Sequence, residues 1–204
     1  MNQNLVRFVG LLGVISLAAC NNAVTDVGPV LAAPEVPKFI CLSNAATMRL
    51  PAELRATLPT SSVRNMNDEL ASISQSVPGG FAGIFYEDNN HLVLTFVNPA
   101  EANESRASIQ QAFNASHFSV DVSKAEFRGA RWSFAELDEW YRYITTKLDW
   151  TSGISFTDID EKANTINIGV IDETARAELE AQLGALNVSC NLVTTVIRAY
   201  ATIA

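Results

Sequence analysis

From Asn65 onward the chain carries one pattern twice, helix, strand, strand, helix, strand, with the second copy about seventy residues behind the first. A repeat constrains a fold more than any single motif, because each copy must bury its apolar faces by the same local means. In the first copy Met66, Leu70, Ile73 and Val77 recur at helical spacing, and Pro78-Gly79-Gly80 ends that helix. Phe81 to Tyr86 and His91 to Val97 then flank the acidic turn Glu87-Asp88-Asn89-Asn90, which predicts a hairpin. Leu92, Leu94 and Phe96 alternate onto one face of its second strand. Asn98-Pro99-Ala100-Glu101 opens a helix with an N-cap, a proline at the first helical position and a returning glutamate. Phe118, Val120 and Val122 are expected to form the closing strand.

The second copy repeats these devices. Ser133-Phe134-Ala135-Glu136 is a capping box, and Phe134, Leu137, Tyr141, Ile144 and Leu148 follow as the apolar stripe of an amphipathic helix. Ile154 to Ile159 and Thr165 to Ile171 flank the turn Asp160-Glu161-Lys162-Ala163-Asn164, with Ile166, Ile168 and Val170 on one face. Asp172 caps a helix carrying Ala175, Leu179, Leu183 and Leu186, and Leu192 to Ile197 closes the unit as a strand. The expected fold is α+β, two tandem units in which each small sheet is covered by helices on one face. The expected limits are a signal peptide at 1–19, a linker at 20–38, an irregular N-terminal segment at 39–64, a first unit at 65–130 and a second at 131–204. Within the irregular segment, Pro51-Ala52-Glu53-Leu54 has the features of a short helix.

The N-terminus says where such a fold would reside. Val9 to Leu17 form an apolar run too short to span a bilayer, preceded by Arg7 and closed by Leu17-Ala18-Ala19-Cys20, the pattern of a bacterial lipoprotein signal. Cleavage before Cys20 leaves a thiol and an amino group to carry acyl chains such as palmitate, and two or more chains anchor a protein stably. The competing reading is an ordinary secretory signal in which Cys20 has no role. Residues 21–37, with Pro29, Pro34 and Pro37 among small and polar residues, read as the linker from lipid to domain.

Asp and Glu outnumber Lys and Arg by 22 to 14, a net charge of −8 that argues against nucleic acid and against a polybasic membrane patch. The expected attachment is to a membrane through lipid, in the cell envelope. Setting Cys20 aside leaves Cys41 and Cys190, in a compartment that permits disulfides. A Cys41–Cys190 bridge is one reading, and two independent buried thiols are the other.

Gly153-Ile154-Ser155-Phe156-Thr157-Asp158-Ile159-Asp160-Glu161, then Asn164 to Val170, then Asp172 opening a helix, resemble the pro-region repeat of secreted bacterial serine proteases of the streptogrisin and alpha-lytic protease group. Gly83 to Asn98 resembles the same unit. The resemblance implies a region that binds a protease as folding chaperone and inhibitor, so a secreted or envelope serine protease is the partner class it suggests. Because the sequence reaches Ala204 with no protease domain after the repeat, a fold and a style of binding are what is expected to carry over. In that family the tail of the pro-region lies in the protease active site, which makes Tyr200, Ile203 and Ala204 candidate partner contacts. A frayed terminus is the alternative.

Chemistry is sparse. No Gly-x-Ser-x-Gly, His-Glu-x-x-His, paired Cys-x-x-Cys or phosphate-cradling loop occurs, and His91 and His117 read as surface histidines beside strands. The oxygen-rich Asp158, Asp160, Glu161 and Asn164 read as turn formers and lack the spacing of a calcium loop. No cofactor, metal or catalytic residue is assigned. Trp140 and Tyr143 fall off the helical stripe, either as an exposed partner-binding patch or packed against a neighbouring segment. The expected function is that of a non-catalytic protein-binding envelope lipoprotein, with a structural or adhesion lipoprotein as the alternative.

Overall fold

Both copies open their long helix with the same device. Asn65 accepts from the Asp68 amide while the Asp68 carboxylate accepts from Asn65, and Ser133 and Glu136 exchange the same two bonds. The computed structural model describes residues 49–59, 65–118, 120–189 and 191–198. In chain order these form helices α1 (Ala52–Arg55) and α2 (Met66–Ser76), then strands β1 (Phe81–Glu87) and β2 (His91–Phe96). Helices α3 (Pro99–Glu104) and α4 (Arg106–Asn114) and strand β3 (Glu126–Gly129) complete the first unit. The second unit has α5 (Phe134–Lys147), β4 (Ile154–Asp160), β5 (Thr165–Val170), α6 (Glu173–Ala185) and β6 (Val193–Ile197). The fold is a mixed α+β arrangement of two tandem units, each with a three-stranded sheet.

The repeat holds at the level of single hydrogen bonds. Each sheet pairs its hairpin antiparallel and adds its third strand parallel to the middle one, so β2 and β5 are central. The Val97 amide donates to the Gly80 carbonyl and the Ile171 amide to the Gly153 carbonyl, both at 3.0 Å. Ala130 donates to Phe96 at 2.8 Å and Arg198 to Val170 at 2.7 Å. Each hairpin has a register shift at its first residues, between Phe81 and Gly83 and between Ile154 and Phe156. Gly80 and Gly153, just before those strands, both have positive φ, as do Asn90 and Asn164 just before β2 and β5.

The closing strand of the first unit is not Phe118, Val120 and Val122. Val122 lies in a 3-10 turn, and the strand is Glu126–Gly129. Side chains of α4 explain the shift. Gln110 donates to the Val120 carbonyl at 2.9 Å and accepts from the Val122 amide at 2.8 Å. Arg106 donates to the Val122 and Ala125 carbonyls at 2.8 and 3.2 Å. The backbone here is satisfied by a helix instead of a strand ladder, which answers the same polar demand. Met66, placed by periodicity on the apolar stripe of α2, is exposed, whereas Leu70, Ile73 and Val77 are buried.

One hydrophobic core extends from Leu50 to Leu192 through both units. At its centre α2 packs on α5, and α5 also touches β1, β4 and β5. Phe81 anchors the first half, with Phe96 and Phe113 edge-on at ring-centroid distances of 5.8 and 5.5 Å. Sheet alternation predicts one buried face for β2, yet Val93 and Thr95 are buried as well as Leu92, Leu94 and Phe96. The tip of the second hairpin supplies the cover: a Cβ on Gly83 would lie 2.6 Å from the Glu161 Cβ, and the Lys162 ammonium is 5.9 Å from the Phe85 ring. The turn of the second unit therefore lies on the outer face of the first sheet. No described helix is long and apolar enough to cross a membrane.

Candidate functional site

Helix α5 carries most of the side chains that bear on function. Trp140 and Tyr143 do not form an exposed patch: they are only 4% and 7% exposed, edge-on to each other at 6.0 Å. The physical reason is the central position of α5, which buries an arc wider than one stripe, comprising Phe134, Leu137, Trp140, Tyr143 and Ile144. Tyr141, expected in the core, is half-buried, with its hydroxyl 3.1 Å from that of Thr157. Trp140 and Tyr143 instead floor an apolar pocket of about 420 Å³, walled by Pro51, Leu54, Leu186 and Ser189.

On the other side of α1 lies a charged cleft of about 340 Å³ between α1, α2 and α5. Small residues open it, since Ala71 and Ser72 of α2 face Ala135 of α5. Its walls carry Asp68, Asp138, Glu139, Arg55 and Arg142. Arg55 is held by Glu139 at 3.1 Å and donates to the Leu50 carbonyl at 3.0 Å, which ties α1 to α5. Arg142 donates to the Pro59 carbonyl and comes no closer than 3.9 Å to Asp138. Burial lifts the Asp138 carboxyl to a pKa of about 6, Arg142 opposes the shift, and Asp68 and Glu139 reinforce it.

A third cluster lies on the outer face of the first sheet. Arg128 makes a forked pair with Glu87 at 2.7 and 2.9 Å and reaches Glu126 at 2.5 and 2.9 Å, while the His91 Nε2 is 2.8 Å from Glu126. Hydrogen bonds from Arg128 and from His91 hold the Glu126 carboxyl down near a pKa of about 2. Each acid is already partnered, so the cluster reads as a cross-strand ion ladder. His117 is likewise paired, its Nδ1 2.9 Å from Glu69. Among the described residues no group of three or more His, Cys, Asp or Glu side chains is placed to hold a metal ion. In the acidic turn, Asp160 accepts from the Ala163 amide at 2.8 Å, and Asn164 is bonded to the backbone of Arg131 and Trp132.

Exposed apolar side chains gather at one end of the second sheet. Ile197 ends β6 in register with Val170, Ile171 follows directly, and Trp150 lies in the turn before Gly153, whose carbonyl receives the Ile171 amide. All three are exposed. Cys20, Cys41, Cys190, Tyr200, Ile203 and Ala204 lie outside the described residues.

Sequence reasoning passed over Asp138, although a signal was present: it stands four residues after Phe134 and three before Tyr141, a charge on the apolar stripe itself. The Glu87, Glu126 and Arg128 cluster had no comparable signal, because strand pairing alone brings those residues together. The chain matches no protein-family model, and no curated protein matches it.

Proposed function

We propose that this chain is a bacterial cell-envelope lipoprotein, anchored through lipid on Cys20, whose folded part is a non-catalytic protein-binding module. The observation that carries the binding role is the exposed apolar rim of Trp150, Ile171 and Ile197, at the end of the second sheet where β6 runs out toward residues 199–204. Among the described residues strand β6 pairs only with β5, so its other edge and the adjoining rim are the features that suit recognition by strand addition, which joins backbone hydrogen bonds to apolar contacts. The resemblance to protease pro-regions makes a secreted or envelope serine protease the partner class. Tyr200, Ile203 and Ala204 are then the tail that would reach its site.

The anchor rests on Leu17-Ala18-Ala19-Cys20. Metabolic labelling with an acyl-chain analogue tests it: label is expected on the parent chain and absent from Cys20→Ala, and label retained in the variant overturns it. For the module, a photo-crosslinking residue placed at Ile197 of the full chain in intact cells is expected to give one discrete protein adduct, absent when the same residue replaces Glu104 of the first unit. A serine protease in that adduct supports the partner class. No adduct from Ile197 leaves the structural or adhesion role as the better account.

A further inference from the structure

We propose that the apolar pocket floored by Trp140 and Tyr143 is the seat of this chain's own upstream segment, Phe39-Ile40-Cys41-Leu42, held by burial of its side chains and by strand-type pairing beside Ser189. The upstream chain joins the described fold at this pocket. Leu50 is 1% exposed, the Arg55 guanidinium donates to its carbonyl at 3.0 Å, and Pro51 forms part of the pocket wall. Between Leu42 and Leu50 the backbone spans at most about 26 Å, enough to turn back onto that wall. Phe39 to Leu42 are four consecutive apolar residues just after the prolines of the linker, and leaving them in water forgoes the free energy of their burial.

A second, independent observation points to an extended occupant. Ser189, another wall residue, is 4% exposed and makes an isolated β-bridge that belongs to neither three-stranded sheet. Such a bridge is backbone pairing between two extended segments, so this wall is shaped for a strand. At about 420 Å³ the pocket is ligand-sized, and none of the described residues lining it is charged. That lining suits Phe, Ile and Leu side chains and gives an ionised ligand nothing to pair with. Seating the segment brings Cys41 to the wall that Cys190 follows, but the seat rests on packing and does not require their bridge. The consequence concerns the anchor. Ser189 precedes β6 and Ile197 ends it, so the segment enters the domain at the other end of that strand from the exposed rim. Residues 21–38 are then the whole tether, about 60 Å at most when extended. This last step rests on the lipid anchor at Cys20, and the seat itself does not.

Limited chymotrypsin digestion of the full chain, with both thiols reduced so that no bridge supplies protection, tests the seat. Leu31 in the linker is the internal reference. In the parent, cleavage after Phe39 is expected to be roughly tenfold or more slower than after Leu31. Ala185→Trp, at an exposed position that lines the pocket, is expected to fill the seat and bring the two rates together, with circular dichroism unchanged. Ile40→Asp is expected to do the same from the segment's side, and Glu104→Trp, on exposed α3, to behave as the parent. In NMR of the parent, a nuclear Overhauser contact is expected between the Ile40 methyls and the Trp140 ring, which keeps the test decisive if a variant folds poorly. Equal cleavage at Phe39 and Leu31 in the parent, or protection unchanged in both Ala185→Trp and Ile40→Asp, overturns the proposal. Myristate bound by a parent whose Phe39 is freely cut makes an acyl chain the occupant instead. Protection that appears only with dimers in sedimentation makes it the segment of a second copy, and either result equally overturns the proposal.

Discussion

Asn164 holds Trp132 from both sides: its Oδ1 accepts the Trp132 amide at 2.8 Å, and its Nδ2 donates to the Trp132 carbonyl at 2.9 Å. The same Oδ1 accepts from the Arg131 amide at 2.9 Å. A residue in the second hairpin turn thus substitutes for a strand neighbour of the segment joining the two units, and its positive φ is one that asparagine tolerates. Asn164→Ala is expected to destabilise by about 2–4 kcal/mol, through three lost bonds to the backbone, the two with Trp132 buried, and an unfavourable backbone angle. Asn164→Gly relieves the angle and is expected to lose about 1 kcal/mol less. Urea unfolding of both variants checks the order.

Gly83 is where the second hairpin lies on the first sheet, with the Glu161 Cβ in the place a side chain would occupy. Gly83→Ala is expected to cost about 1–3 kcal/mol by pushing the turn away. Hydrogen exchange is expected to rise in residues 160–164 and at Val93 and Thr95, and exchange unchanged at both places counts against this packing.

Asp138 makes stability depend on pH in an unusual direction. Its folded pKa, about 6, lies above its ordinary value of 3.8, so between those values the folded state retains a proton that the unfolded chain has released. This contribution is complete below pH 4, weakens as pH rises, and is gone above about pH 6. Asp138→Asn is therefore expected to stabilise the protein by about 2 kcal/mol at pH 7.5, allowing for partial hydration from the cleft, and by little at pH 4. Thermal unfolding at the two pH values measures the difference.

The ion ladder on the first sheet acts in the opposite sense. The Glu126 carboxyl is held near a pKa of about 2, so its favourable contribution is present above its ordinary 4.5 and is lost as pH falls toward 2. Removing its main hydrogen-bond donor with Arg128→Met is expected to return the Glu126 titration toward 4.5, and to raise the pH at which the protein unfolds in acid. Carboxyl carbon NMR reads the first, and circular dichroism the second.

Ser189, next to Cys190, and Pro51 and Leu54, a short way after Cys41, wall the same apolar pocket. A Cys41–Cys190 disulfide would close a long loop, worth on the order of 4 kcal/mol in the chain-entropy account. Non-reducing peptide mapping is expected to find the linked peptide, and Cys41→Ser with Cys190→Ser to lower the urea midpoint. Full alkylation of both thiols without prior reduction in freshly denatured protein rules the bridge out.

Local rules written in the amino acids were enough for the helices, the hairpins and their repetition. Capping boxes at Asn65 and Ser133, period-two strands and asparagine turns depend on neighbours a few residues away, and the same short motifs appear in both copies. What the tertiary structure decided depends on distant partners. Periodicity describes a helix with one covered side, but α5 is covered on several, which turned Trp140 and Tyr143 inward and left Asp138 buried in a cleft. The closing strand moved from 118–122 to 126–129 because side chains of α4 had already satisfied the earlier backbone. Long-range satisfaction of polar groups and packing on several faces have no period in the sequence, and they decided where the pocket, the cleft and the exposed rim lie.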